Sequence, residues 1–190
     1  MEQPRADFDA GRIAAPRVFR FGQFYYNLYS AWDGASWTTG LTASLDGRDW
    51  SLGRKVLAAD SRTWEGEQRA AFGAALVADG LIHYWYTAGG PAAIGLARSH
   101  DGRSWRREGE PVLKPGGEKD FDGGGVSHPA VLRLDGTYYL YYTGVDAGGR
   151  AAIGLARSDD GVEWKRLRGN PVMAGDEGNG HDFHHQGCAA

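Results

Sequence analysis

A few residues in this chain combine side chains suited to chemistry with places where the chain's other repeats carry no like residue: Glu67, Arg69, His128, His185, Gln186 and Cys188. His128 stands out, because a titratable imidazole can move a proton near neutral pH or ligate a metal. The segment H-D-F-H-H-Q-G-C adds His181, His184, His185 and Cys188, whose nitrogens and thiolate are the ligand types of transition-metal sites and could act together with His128. The plainer readings are a histidine hydrogen-bonded in a wet channel and a solvated His-rich tail. No metal and no cofactor is therefore expected.

What makes those residues singular is that the rest of the chain repeats. A-A-I-G-L-A-R-S-D-D-G-V-E-W at 151–164 nearly copies A-A-I-G-L-A-R-S-H-D-G-R-S-W at 92–105, and L-T-A-S-L-D-G-R-D-W at 41–50 is a third version. The tryptophans Trp50, Trp105 and Trp164 set spacings of 55 (105 − 50) and 59 (164 − 105) residues. A repeat of that length, built from short alternating apolar runs, predicts an all-β propeller with one four-stranded blade per repeat.

In the third repeat, strands are expected at 129–134, 137–144, 151–158 and 171–173, with Asp135-Gly136 and Asp160-Gly161 as turns. The second repeat gives 73–78, 81–88, 92–99 and 111–113, and the first gives 16–21, 24–31, 38–45 and 55–57. The whole chain reads as one partial propeller domain, with blades at about 7–62, 63–119 and 120–181 and the start of a fourth at 182–190. Open propeller faces would leave apolar surface uncovered. Either the chain is a fragment of a longer protein, which is the expectation, or copies associate as a homo-oligomer to close a ring.

In such a fold the innermost strands line a channel, and the loops entering them, 7–15, 63–71, 120–128 and 182–190, ring its mouth. His128 aligns there with Ala15, Ala71 and Ala190, placing a ring where the other repeats have a methyl group. Asp9, Glu65 and Asp122 share one register in these loops, and Asp7, Asp120 and Asp182 share another, which points to turn and cap roles. Asp46, Asp101 and Asp160, in S-x-D-G-x-x-W hairpins, read the same way. That motif also resembles the Asp-box of sialidases, but with one residue fewer between Asp and Gly.

The chain has 190 residues, 42% of them hydrophobic, and a formal charge of −3, which suits a globular domain and supplies no basic stripe for nucleic acid. The first residues, M-E-Q-P-R-A-D-F, hold no apolar signal segment, and no apolar run approaches the ~18 residues of a membrane span. The expectations are a cytoplasmic location and neither a nucleic-acid nor a membrane partner. One cysteine, Cys188, excludes an intrachain disulfide.

The run V-S-H-P-A-V-L-R-L-D-G-T-Y-Y-L-Y-Y-T-G, followed by I-G-L-A-R-S-D-D-G-V-E-W and N-P-V-M, resembles the five-bladed propeller glycoside hydrolases: the arabinanase, β-xylosidase, invertase and levansucrase group and its mannoside phosphorylase relatives. The resemblance implies a carbohydrate partner and a pair of carboxylates at the mouth. In that group one carboxylate, commonly an Asp directly before a Pro, serves as nucleophile or base or tunes the acid. A second, from another blade, protonates the leaving oxygen, because attack and protonation occur on opposite sides of the anomeric carbon.

The chain departs from that pattern, since Ala15 and His128 precede the prolines and no repeat carries the Asp-Pro carboxylate. A catalytic pair would have to come from Glu67, Asp9, Asp122 and Asp182, with His128 beside them. Arg69, Trp64, Phe121 and His185 are the expected substrate contacts, aromatic faces stacking on sugar rings. Two functions follow from these residues: a glycosidase or glycoside phosphorylase, and a carbohydrate-binding or assembly propeller that has lost its acids.

Overall fold

The computed structural model describes residues 7–175, so the expectations for Asp182, His185 and the His/Cys cluster lie outside the described residues. Each of the three repeats forms an antiparallel sheet in simple meander order. The first contains β1 (Arg12–Phe21), β2 (Phe24–Trp32), β3 (Trp37–Ser44) and β4 (Arg54–Leu57), entered by a short 3-10 turn at Asp7–Asp9. The second contains β5 (Ala70–Ala78), β6 (Leu81–Ala88), β7 (Ala93–Ser99) and β8 (Arg106–Arg107). The third contains β9 (Gly125–Leu134), β10 (Thr137–Val145), β11 (Ala151–Ser158) and β12 (Lys165–Arg166), and β13 (Met173–Ala174) also pairs with β11.

The outermost strand corrects one expectation. In the second blade it is Arg106–Arg107, paired with Ala97 and Arg98, whereas the predicted 111–113 contributes only a bridge from Leu113 to Ile94. In the third blade Lys165–Arg166 takes the same place, just after the hairpin tryptophan. These dipeptides are polar because a one-ladder edge strand has little apolar surface to cover, so no alternating pattern marks them.

The blades stack face to face. Leu28 and Leu41 of the first pack with Tyr84 and Ala97 of the second, and Trp85 and Leu96 of the second pack with Tyr138, Leu140 and Ala156 of the third. Trp85 is completely buried and donates its indole N–H to the Gly161 carbonyl at 2.8 Å, tying blade two to the hairpin of blade three. The S-x-D-G-x-x-W hairpins are built as the sequence suggests. Asp46, Asp101 and Asp160 each accept the two amide N–H groups that follow Gly47, Gly102 and Gly161, while Ser44, Ser99 and Ser158 each accept the glycine N–H.

A second repeated device ties each entry loop to its own blade. Phe8, Trp64 and Phe121 stack beside Tyr29, Tyr86 and Tyr142, with ring centroids 6.3, 6.4 and 6.1 Å apart. Each tyrosine hydroxyl donates to the acid that follows the loop aromatic: Tyr29 to Asp9 at 2.7 Å, Tyr86 to Glu65, and Tyr142 to Asp122 at 2.8 Å. The fourth strand completes two of the sites, with Arg107 paired to Glu65 and Arg166 to Asp122. The tyrosine rings leave no room above strand three: a Cβ on Gly40, Gly95 or Gly154 would lie 2.4, 2.6 or 2.4 Å from the ring Cζ of Tyr29, Tyr86 or Tyr142. This explains the invariant glycine of the three T-G-L and I-G-L copies.

Candidate functional site

Each innermost strand is interrupted at the same point by a bulge. Two residues face one on the neighbouring strand: Ala15-Pro16 opposite Tyr29, Phe72-Gly73 opposite Tyr86, and His128-Pro129 opposite Tyr142. The first residue of each bulge adopts a left-handed backbone, with φ of 49° at Ala15, 52° at Phe72 and 49° at His128. Non-glycine residues pay of order 1 kcal/mol for this conformation, and bulges commonly re-aim a side chain beside a site. The structural equivalent of His128 in blade two is thus Phe72. The expected alignment with Ala71 is corrected by one residue, because the entry from Glu65 to the bulge is one residue longer than those from Asp9 and Asp122.

Hydroxyl groups on the preceding blade hold these bulges. The Phe72 N–H donates to Ser30 Oγ at 2.8 Å, and the His128 N–H donates to Thr87 Oγ1 at 3.0 Å. Ser30 and Thr87 occupy the same place near the ends of β2 and β6. The same edge of the molecule carries the β2–β3 hairpin. There Asp33 accepts the N–H groups of Ala35 and Ser36, which hold its carboxyl below the usual range.

Four rings run in sequence across this rim and connect all three blades. Trp32 lies 5.6 Å from Trp37, Trp37 lies 4.7 Å from Phe72, and Phe72 lies 5.3 Å from the His128 imidazole. Trp37 is fixed by a parallel bridge to Arg69 and by donating its backbone N–H to the Gln68 carbonyl at 2.9 Å. His128 is solvent-exposed, with Nδ1 3.0 Å from Ser127 Oγ. Its pKa falls below the usual histidine value through desolvation by the surrounding protein, then through the nearby charges of Arg69 and Arg17.

The expected site residues divide sharply. His128 lies beside Phe72 and through it reaches Trp37, whose backbone bridges Arg69; sequence reasoning did not select Phe72 or Trp37. Glu67 is exposed in the longer entry loop, two residues before Arg69. Asp122 must be reassigned: it is fully buried and its Oδ2 accepts both Tyr142 and Arg166, the latter at 2.8 Å, so it stabilises the blade rather than facing a ligand. Asp9 binds Tyr29 and keeps Oδ1 buried, which gives it the same place. Trp64 and Phe121 are half-buried beside Tyr86 and Tyr142, away from the rim rings, and Trp64 also lines a groove of its own blade.

A groove of about 490 Å³ runs elsewhere, between 58–65 and 107–109, and touches the Glu65–Arg107 pair but none of the rim rings. Among the described residues, no group of three or more His, Cys, Asp or Glu side chains is placed to hold a metal ion.

A β-1,2-mannobiose phosphorylase from Thermoanaerobacter sp. strain X514 is 31% identical over 138 residues, covering 62% of this chain and 44% of that protein. A 1,2-β-oligomannan phosphorylase from the same organism is 34% identical over 117 residues, covering 54% of this chain and 38% of that protein. The chain therefore spans less than half the length of these relatives.

Among solved structures, a family 117 glycoside hydrolase from Zobellia galactanivorans superposes with a TM-score of 0.75 at 20% identity, over 92% of this chain and 61% of that one. A β-1,2-mannobiose phosphorylase from Listeria innocua superposes with a TM-score of 0.72 at 18% identity, over 90% and 48%. Both likenesses establish the propeller fold. Residues 68–177 match the glycoside hydrolase 130 family model, described as β-1,4-mannooligosaccharide phosphorylase. With more than half of its length matched to that model, the chain belongs to the glycoside hydrolase 130 family.

Proposed function

We propose that this chain is a sugar-recognising part of a carbohydrate-active propeller, and that its mouth binds a glycan without supplying the carboxylate that ordinarily precedes the bulge proline. The observation that carries this reading is the run of rings from Trp32 through Trp37 and Phe72 to His128. Aromatic faces bind the C–H faces of sugars, and a site formed by several blades can follow more than one ring of a chain. The three bulge positions hold a methyl, a phenyl and an imidazole group, none of which can be a carboxylate nucleophile or general acid of the two-carboxylate mechanism.

Tryptophan fluorescence of the 190-residue chain, titrated with β-1,2-mannobiose and β-1,4-mannooligosaccharides, tests the proposal. The expected result is a saturable change that weakens at least ~10-fold in Trp37→Ala, consistent with the loss of an aromatic platform. No phosphate-dependent release of sugar phosphate is expected. One observation favours an enzyme instead: Glu67 is an exposed carboxylate in the entry loop, two residues before Arg69. Turnover that disappears in Glu67→Gln, with folding intact, would establish that second reading.

A further inference from the structure

The three bulges share one backbone conformation, and His128 alone among their first residues presents polar side-chain atoms. Ala15 ends in a methyl group and Phe72 in a ring with neither donor nor acceptor. The His128 imidazole has two nitrogens, and Nδ1 lies 3.0 Å from Ser127 Oγ. Nε2 has no hydrogen-bond partner among the described residues.

An exposed histidine with one unpaired nitrogen is ordinary in itself. What sets this one apart is how firmly it is held. Its backbone has a φ of 49°, a left-handed conformation that a histidine adopts only at a cost. Its N–H donates to Thr87 Oγ1 on the preceding blade at 3.0 Å, and its ring lies 5.3 Å from Phe72 at an interplanar angle of 42°. Backbone, ring and one nitrogen are each fixed, while the second nitrogen is left for a ligand. Groups held in this way lose little freedom on binding.

The tilt between the two rings makes a corner, with the Phe72 face as one wall and the imidazole as the other. A pyranose whose C–H face lies on Phe72 carries hydroxyls at its edge, where the imidazole stands. A hydroxyl also suits Nε2 in either tautomer. If Ser127 donates to Nδ1, then Nε2 carries the proton and donates; if Nδ1 donates to Ser127, then Nε2 accepts. A hydroxyl can answer both, whereas a carboxylate answers only the first and an ammonium only the second.

We propose that His128 is the specificity-determining residue of the mouth, reading one hydroxyl of the sugar through Nε2, while Phe72 and Trp37 hold the sugar's apolar face without choosing among sugars. This inference rests on the reading that the mouth binds sugar, and it says which residue discriminates. Contact with an aromatic face scales with area and changes little between epimers. A hydrogen bond is directional, and a site built around one rejects a sugar that leaves it unmade.

The test is calorimetric titration of the full chain with β-1,2-mannobiose, β-1,4-mannobiose, cellobiose and xylobiose, which gives a ranking. His128→Phe installs the side chain that the second bulge already carries on the same backbone conformation. It should lower the affinity of the best-bound sugar at least ~10-fold and flatten the ranking. His128→Gln, whose amide both donates and accepts, should keep part of the ranking. Phe72→Leu should weaken all four sugars by a similar factor and leave their order unchanged. In the unsubstituted chain, saturating sugar should move the His128 Nε2 nitrogen resonance more than that of Nδ1, which decides the matter where a variant fails to fold.

An unchanged ranking in His128→Phe, or an Nε2 resonance that sugar does not move, would overturn the assignment and leave the sugar-binding reading intact. A ranking altered as much by Phe72→Leu as by His128→Phe would overturn it too. Binding of no sugar by the unsubstituted chain would remove both readings.

Discussion

The entry-loop networks and the rim bulges both recur in every blade, yet they vary in opposite ways. In the network the residue types persist: Phe8, Trp64 and Phe121 beside Tyr29, Tyr86 and Tyr142, with Asp9, Glu65 and Asp122 accepting the hydroxyls. At the bulges the backbone persists, with φ near 50° each time, while the side chain changes from Ala15 to Phe72 to His128. Where every blade needs the same contact, chemistry is tied up in stability. Where blades share only a backbone path, the side chain is released for recognition. The acids Asp9, Glu65 and Asp122 belong to the first kind, and the candidate sugar contacts belong to the second.

The largest effect that would break this contrast is expected at Asp122. Asp122→Ala leaves Tyr142 and Arg166 without their shared acceptor in a fully buried place, and should cost about 2–4 kcal/mol in chemical denaturation, the lower end reflecting the partly exposed arginine. Sugar binding, measured below the unfolding transition, should survive. If it were Asp122 that bound ligand, affinity would fall before stability did.

Next in size is Gly154→Ala, whose new methyl group would lie 2.4 Å from Tyr142 Cζ and 2.7 Å from Phe121 Cζ. Overpacking of this kind should cost about 1–3 kcal/mol, read as a lowered thermal midpoint. Gly136→Ala would control for a general glycine effect of a different origin, since nothing lies within 4 Å there and only the backbone conformation, at φ 83°, opposes it.

Thr87→Val should have a smaller cost, about 1–2 kcal/mol, by removing the acceptor of the His128 N–H. Its sharper consequence is local. Chemical shifts should move around His128 and around Phe72, whose carbonyl accepts from the Thr87 hydroxyl at 3.3 Å, while those around the Ala15 bulge should not.

The smallest effect is electrostatic. His128 should titrate below the 6.5 of an unperturbed histidine in an NMR pH series, and Arg69→Gln should raise its midpoint. Because the folded value lies below the unfolded one, this residue's contribution to stability is complete above the unfolded value and is lost as pH falls through the folded one. A midpoint at or above 6.5 would contradict the cationic surroundings assigned to it.

Much of the architecture could be read from residue patterns. The predicted strand at 81–88 coincides with β6 because L-I-H-Y-W-Y-T-A is bounded by turn residues on both sides, and the S-x-D-G-x-x-W hairpins carry their hydrogen-bonding groups in sequence. The edge strands escaped because Arg106–Arg107 and Lys165–Arg166 have no apolar periodicity. At the site, His128 and Arg69 could be picked out as singular residues. Phe72 was hidden by the extra residue in its entry loop, and by Gly73 standing where the other blades have proline. Trp37 was hidden for another reason: its neighbours Arg69 and Phe72 belong to the next blade, and no local pattern announces a contact between one blade's third strand and another's bulge. The pairing of Trp32 with Trp37 across a four-residue hairpin was the available signal.

The hydroxyl latches from Ser30 and Thr87 fix the second and third bulges from outside, through the backbone N–H groups of Phe72 and His128 and not through their side chains. A residue gripped in that way can be exchanged without disturbing the grip. The rim therefore works like a set of interchangeable tool holders, in which a methyl, a phenyl and an imidazole have been mounted on one fitting. Ligand preference in such a protein can drift through single substitutions at 15, 72 and 128, with the cost of each change confined to the left-handed backbone that all three already tolerate.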